Sequence, residues 1–122
     1  MSQYQMGVVE TRFAEIIWDN EPLSSMELVR KAGELLDWKK STTFTVLRRL
    51  CEKGLFRNES GVVTSLVTRD QFFAAQSRQY IDDIFGGSLP AFLAAFTAGK
   101  KLTEAEAAEL QRIIDRTERR NG

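Results

Sequence analysis

Apolar residues at Val9, Phe13, Ile16 and Ile17 recur at i, i+4, i+7 and i+8, which predicts one face of a helix ending near Asp19. Asn20-Glu21-Pro22 stops it, because proline lacks an amide hydrogen and restricts the residue before it. Ser24-Ser25-Met26-Glu27 reads as a capping box and opens a second helix to about Leu36, with Leu28, Val29, Ala32, Leu35 and Leu36 turned inward. Gly33 weakens that helix by about 1 kcal/mol relative to alanine. Asp37-Trp38-Lys39-Lys40 forms a turn, and Ser41 is the expected cap of a third helix over residues 41–53. The β-branched Thr42, Thr43, Thr45 and Val46 argue against helix there. Helical spacing of Phe44, Leu47, Leu50 and Cys51, together with Gly54 where a left-handed C-cap belongs, outweighs them.

The period then changes. Leu55-Phe56-Arg57-Asn58, the turn Glu59-Ser60-Gly61 and the run Val62 to Val67 predict a short β-hairpin. Thr68-Arg69-Asp70-Gln71 is a second capping box, opening a helix to about Phe85 with Phe73, Tyr80, Ile81 and Ile84 inward. Gly86-Gly87 breaks it, and Ser88 starts a short helix with Leu89, Phe92, Leu93 and Phe96 on one stripe. After Gly99-Lys100-Lys101, Thr103-Glu104-Ala105-Glu106 caps a last helix whose stripe is Leu110, Ile113 and Ile114. The expected fold is mainly α with a small β-hairpin. Helix, helix-turn-helix and hairpin, in that order, make residues 1–67 a winged helix-turn-helix domain. Residues 68–122 form a three-helix region too small to bury its own stripes comfortably, so a second copy of the chain is the expected partner, the alternative being that these helices fold back on the first domain. The dimerisation set is Tyr80, Ile84, Leu89, Phe92, Leu93, Phe96, Leu110, Ile113 and Ile114.

Composition narrows the chemistry. With no histidine and one cysteine, the chain contains no Ser-His, Cys-His or His-metal arrangement and no thiolate-rich metal cluster. It has no Gly-rich phosphate loop or paired-acid motif either, so the expectation is a non-enzyme without cofactor or metal. Cys51 reads as a small apolar filler, and Phe13, Trp18, Trp38 and Leu47 as core. No apolar run approaches the roughly 20 residues that span a bilayer. Residues 1–7 carry no signal-peptide pattern, and a lone cysteine suits a reducing cytoplasm, the expected location.

Positive and negative residues balance, 17 against 17, so a local excess of one sign is informative. Lys39, Lys40, Arg48, Arg49, Lys53 and Arg57 face only Glu52 between Trp38 and Arg57. Thr42, Thr45 and Arg49 fall at i, i+3 and i+7, one outer face of the third helix, which Ser41 and Lys53 extend. A helix of this width, bearing hydroxyls and a guanidinium, suits the DNA major groove, where arginine pairs bidentately with guanine and threonine meets a base edge or a thymine methyl. Lys39, Lys40 and Arg48 flank it where phosphates would pass. The competing reading is a winged-helix protein-interaction module without sequence-specific DNA binding, prompted by the neutral total charge and the short wing. The arginines Arg116, Arg119 and Arg120 read as a solvated helix end.

The series Ile17-Trp18, Pro22-Leu23, Glu27-Leu28, Trp38, Thr42, Thr45, Leu47, Arg49-Leu50 and Lys53-Gly54-Leu55 resembles the BlaI/MecI-type penicillinase repressors and their copper-responsive relatives. The likeness continues through Leu66 to Phe72, Phe85-Gly86-Gly87-Ser88-Leu89, Phe96 and Leu102-Thr103, so it spans about Val8 to Arg116. It implies a homodimeric transcriptional repressor on a dyad-symmetric, double-stranded operator, with Ser41, Thr42, Thr45 and Arg49 in the recognition helix. Many members of that family are inactivated when a membrane sensor-protease system leads to cleavage in the C-terminal domain. Three departures stand out. The Gly-Arg-aromatic-Tyr wing run is replaced by Gly61-Val62-Val63-Thr64. Ala95-Phe96, the candidate proteolytic position, stands where the family has an Asn-Phe bond. The paired C-terminal cysteines of the copper-responsive branch are absent.

Overall fold

The element order is α1 (Val8–Asn20), β1 (Leu23–Ser24), α2 (Ser25–Leu36), α3 (Lys40–Glu52), β2 (Phe56–Glu59), β3 (Val62–Ser65), α4 (Arg69–Phe85), α5 (Leu89–Gly99) and α6 (Glu104–Asn121) in a computed structural model. It describes the backbone of residues 6–121 and side chains through residue 119. Most of the opening stretch read for a leader pattern, and the Arg120 side chain, lie outside the described residues. The fold is mainly α with a small antiparallel sheet, as the hydrophobic periods imply. The chain divides into two compact units, Met1–Tyr80 and Ile81–Gly122. That division falls within α4 rather than at Val67, because the first turns of α4 are anchored to the N-terminal core by Phe72.

In the first unit, α1 packs on α2, α2 on α3, α1 on β3 and α3 on β2. Phe13, Ala14, Ile17, Leu28, Ala32, Leu47, Leu50, Leu55, Phe56, Val63 and Phe72 form one continuous core. Trp18 and Trp38 are half-buried against it, Trp38 at 5.0 Å from the Phe13 ring and Trp18 at 5.5 Å from Phe56 and 5.6 Å from Phe72. The Trp18 indole N–H donates to the Val67 carbonyl at 3.0 Å, so the ring fills the core while its one polar atom is satisfied.

The sheet has order β1-β3-β2, with Phe56 to Glu59 paired antiparallel to Ser65 to Val62. Ser60 (φ 51°) and Gly61 (φ 82°) form a two-residue hairpin loop with both central residues left-handed, the twist that a tight hairpin requires. The third strand was not anticipated: Leu23 and Ser24 pair with Val63 and Val62. Two residues are too few to show alternation, so only tertiary pairing reveals β1. Glu21 locks this edge by accepting from the Ser65 amide and hydroxyl, each at 2.8 Å.

Several inward assignments shift by a residue. Leu35 is 66% exposed, and Leu28 and Ala32 carry the burial of α2. In α3 the buried positions are Thr43, Val46, Leu47 and Leu50, whereas Phe44 and Cys51 are only half-buried. In α4, Phe72 is the anchor at 0% exposure, and Phe73 is 42% exposed. Helical periodicity defines a broad stripe, and the packing partner selects which edge of it is covered.

The starts of α2, α4, α5 and α6 follow the sequence closely. Ser24 accepts from the Glu27 amide. Thr68 and Gln71 bond reciprocally at 3.1 and 2.9 Å, as do Thr103 and Glu106 at 3.0 and 2.9 Å. Ser88 accepts from the Ala91 amide at 3.1 Å. In the second unit, Phe92 packs edge-on to Phe85 at 5.5 Å and Phe96 follows at 6.3 Å.

Candidate nucleic-acid interface

α3 begins with Lys39 as its N-cap, and no side chain accepts from its first amides. Ser41 lies inside the helix and is not the cap that the sequence suggests. The threonines that oppose helix formation are accommodated by back-bonding. Thr43 Oγ1 donates to the Lys39 carbonyl at 3.1 Å and Thr45 Oγ1 to the Ser41 carbonyl at 2.9 Å. Thr43 is thereby satisfied although wholly buried. Thr45 keeps its methyl and its oxygen lone pairs for the outside.

With Thr43, Val46, Leu47 and Leu50 inward, the opposite side of α3 faces solvent. Ser41, Thr42, Thr45, Arg48 and Arg49 are all exposed, as are Lys39 and Lys40 just ahead of them. Lys53 is half-buried at the C-cap, its amide bonded to the Arg49 carbonyl, so it stands apart from the exposed stripe. Gly54 follows at φ 83°, the left-handed conformation that ends the helix without steric cost. Arg48 borders a cavity of about 320 Å³ between α3 and β2, shared with Phe44, Leu47, Cys51 and Asn58.

The charges on this face are arranged against helix stability. Lys39 and Lys40 sit at the positive end of the helix dipole with no acid in the first turn, each unfavourable by about 0.3–1 kcal/mol. An anion at that end would relieve the repulsion and meet uncapped backbone amides. At the other end of the stripe, Arg49 Nη1 approaches Glu10 Oε2 of α1 at 3.4 Å. Sequence reasoning missed Glu10, since a contact across 39 residues leaves no local signal. On the hairpin, Arg57 Nε lies 3.5 Å from Glu59 Oε1, so the wing's cation is partly neutralised by its own strand.

Burial, and secondarily the neighbouring Glu52 charge, push the Cys51 thiol up. That fits a packing role and not an activated thiolate. No cluster of three or more metal-ligating side chains occurs among the described residues. Nor is any described helix long and apolar enough to cross a membrane.

The apolar set assigned to dimerisation lies on α4, α5 and α6. Tyr80, which ends the first unit, is exposed. In the second unit, Ile84, Leu89, Phe96, Ile113 and Ile114 are exposed, and Phe92, Leu93 and Leu110 are half-buried. Phe92, Leu93, Phe96, Leu102, Leu110 and Ile113 line an open groove of about 320 Å³ with Glu106 and Glu109 at its edge. Ala95 and Phe96 lie inside α5, with Phe96 on this apolar face.

Three helices, the second and third joined by a tight turn, followed by a twisted hairpin and a basic outer face on the third helix, define the winged helix-turn-helix class of regulators. Residues 6–116 match the penicillinase repressor family, and the chain belongs to that family of transcriptional repressors, not enzymes. It is 24% identical over 117 residues to the methicillin resistance regulatory protein MecI of Staphylococcus aureus strain Mu50, covering 93% of this chain and 95% of that protein. A MecI protein of Mammaliicoccus sciuri is 23% identical over the same shares. The penicillinase repressor of Staphylococcus aureus is 20% identical, covering 93% of each chain.

Proposed function

We propose that this protein represses transcription as a homodimer, each copy laying α3 into the major groove of one half of a dyad-symmetric operator. The observation that carries the reading is the solvent-facing stripe of Ser41, Thr42, Thr45, Arg48 and Arg49 on the third helix of a winged-helix unit. Arg49 supplies bidentate recognition of guanine, Thr42 and Thr45 meet base edges or thymine methyls, and Ser41 sits where the helix enters the groove. Lys39, Lys40 and Arg48 neutralise phosphates, with the uncapped α3 amides behind them. Lys53 contributes at most to the backbone, being half-buried at the helix end.

Residues 68–122 serve as the dimerisation region in this reading. Leu89, Phe96, Ile113 and Ile114 leave apolar surface exposed on one copy, and a second copy covers it most simply. The dimer axis then fixes two half-sites about one helical turn apart, or a multiple of it. Control by a sensor-protease has no support beyond position. The Ala95–Phe96 bond is held within α5, and Phe96 is explained by the apolar face.

Selection of bound sequences from random duplex DNA by the purified protein tests the reading. A two-fold symmetric motif is the expected result. No enrichment, with residual binding that barely responds to salt, would replace it with a protein-interaction role for the winged helix.

A further inference from the structure

Glu10 projects from the first turn of α1 and is an acid that meets the exposed basic stripe of α3 from another element. Its side chain is 24% exposed, whereas its partner Arg49 is 52% exposed. The carboxylate is thus the better-fixed member of the pair. The contact is single and long, one Nη1 to one Oε2 at 3.4 Å. A guanidinium carries five donors in a rigid fork, so one such contact leaves most of them available. A bidentate, short pair would have withheld the arginine from DNA. This one restricts where a long, rotamer-rich side chain points without occupying its fork.

Resting on the reading of Arg49 as a base contact, we propose that Glu10 is a positioning residue for operator specificity: it holds the Arg49 guanidinium over the groove-facing side of α3, so that base choice depends on a residue outside the recognition helix. Glu10 adds negative charge near DNA, which by itself weakens binding to every sequence alike. Its contribution is therefore to discrimination and not to affinity, and the two separate experimentally.

The test measures binding of full-length protein to the selected operator and to single-base variants of it, across a salt series, for the parent, Glu10→Ala, Glu10→Gln, Arg49→Ala and the double variant Glu10→Ala/Arg49→Ala. Removing Arg49 should lower preference at one base pair of each half-site by roughly 5- to 150-fold. Glu10→Ala should lower preference at that same base pair by about 2- to 5-fold, the range expected of a partly exposed ion pair, and have no effect on preference once Arg49 is gone. Glu10→Gln, which keeps an acceptor, should retain part of the preference. Tighter binding of Glu10→Ala to all sequences with base choice unchanged overturns the inference and leaves the α3 reading standing. Unchanged base choice in Arg49→Ala overturns that reading, and the inference falls with it. A melting temperature equal to the parent's confirms that the variants fold.

Discussion

Two kinds of basic residue meet on α3, and their consequences for binding differ. Arg49→Ala should cost about 1–3 kcal/mol against the selected operator and relax base choice at one position of each half-site, read by competition between duplexes. Lys40→Ala should weaken all sequences alike and reduce the magnitude of the salt slope by about 1 per half-site. If both variants bind as the parent does, α3 does not read DNA. Cys51 yields a prediction of another kind. Because burial raises its pKa, less of it is thiolate at any pH near 8 than in the unfolded chain. Alkylation should therefore be slower in the native protein than in denaturant, and the gap should narrow as pH rises. Equal rates across that range would show an exposed thiolate that the packing of α3 does not predict. The exposure of Thr42, Thr45 and Arg49 was legible from their spacing alone. The committed hydroxyl of Thr45 was not, because back-bonding to Ser41 depends on the helix having formed.

The helices owe their limits to short signals in the chain. Ser24, Thr68 and Thr103 cap as their spacing to Glu27, Gln71 and Glu106 predicts, and Ser88, read as the start of α5, accepts from the Ala91 amide. Such bonds span three residues, so no tertiary information is needed to foresee them. Glycines divide into two cases with opposite outcomes. Gly54 is left-handed at φ 83° with open space around a would-be Cβ, so Gly54→Ala should cost about 1–2 kcal/mol through the backbone alone. Gly33 lies within α2, and an added Cβ would meet only the Trp38 carbonyl at an ordinary 3.7 Å. Gly33→Ala should therefore raise stability by about 0.5–1 kcal/mol. Denaturant unfolding of both variants reads the signs, and a shift of the same sign in both would show that backbone conformation is not the deciding term.

A repressor that reads two half-sites needs two copies held together, and the apolar surface of α5 and α6 is where the proposed association is tested. Ile113 is 44% exposed on the α6 stripe, so Ile113→Asp removes little from the fold of one copy. It should shift sedimentation from dimer to monomer and lower affinity for the full operator by about 10²–10⁴-fold, with little change for a single half-site, since linkage of two readers is what is lost. Retention of the parent's mass and full-site affinity would place the dimer contact elsewhere. Arg69 illustrates how the N-terminal unit holds the start of α4: it pairs with Asp19 and stacks over Trp18 at 5.9 Å, beside the buried Phe72.

Local rules determined the order of the six helices, the caps of α2, α4, α5 and α6, the hairpin and the outward side of α3, because each is encoded within a few residues of chain. Charge patterning likewise marked that side as basic although the whole chain is neutral. Tertiary packing alone decided that Phe72 and not Phe73 enters the core, that Thr43 and Val46 are buried ahead of Phe44 and Cys51, and that Leu35 stays outside. It also created β1 and the Glu10–Arg49 pair. Periodicity names a stripe about a quarter-turn or more wide, whereas burial depends on which surface arrives to cover it, and residues far apart in the chain settle that only when they meet.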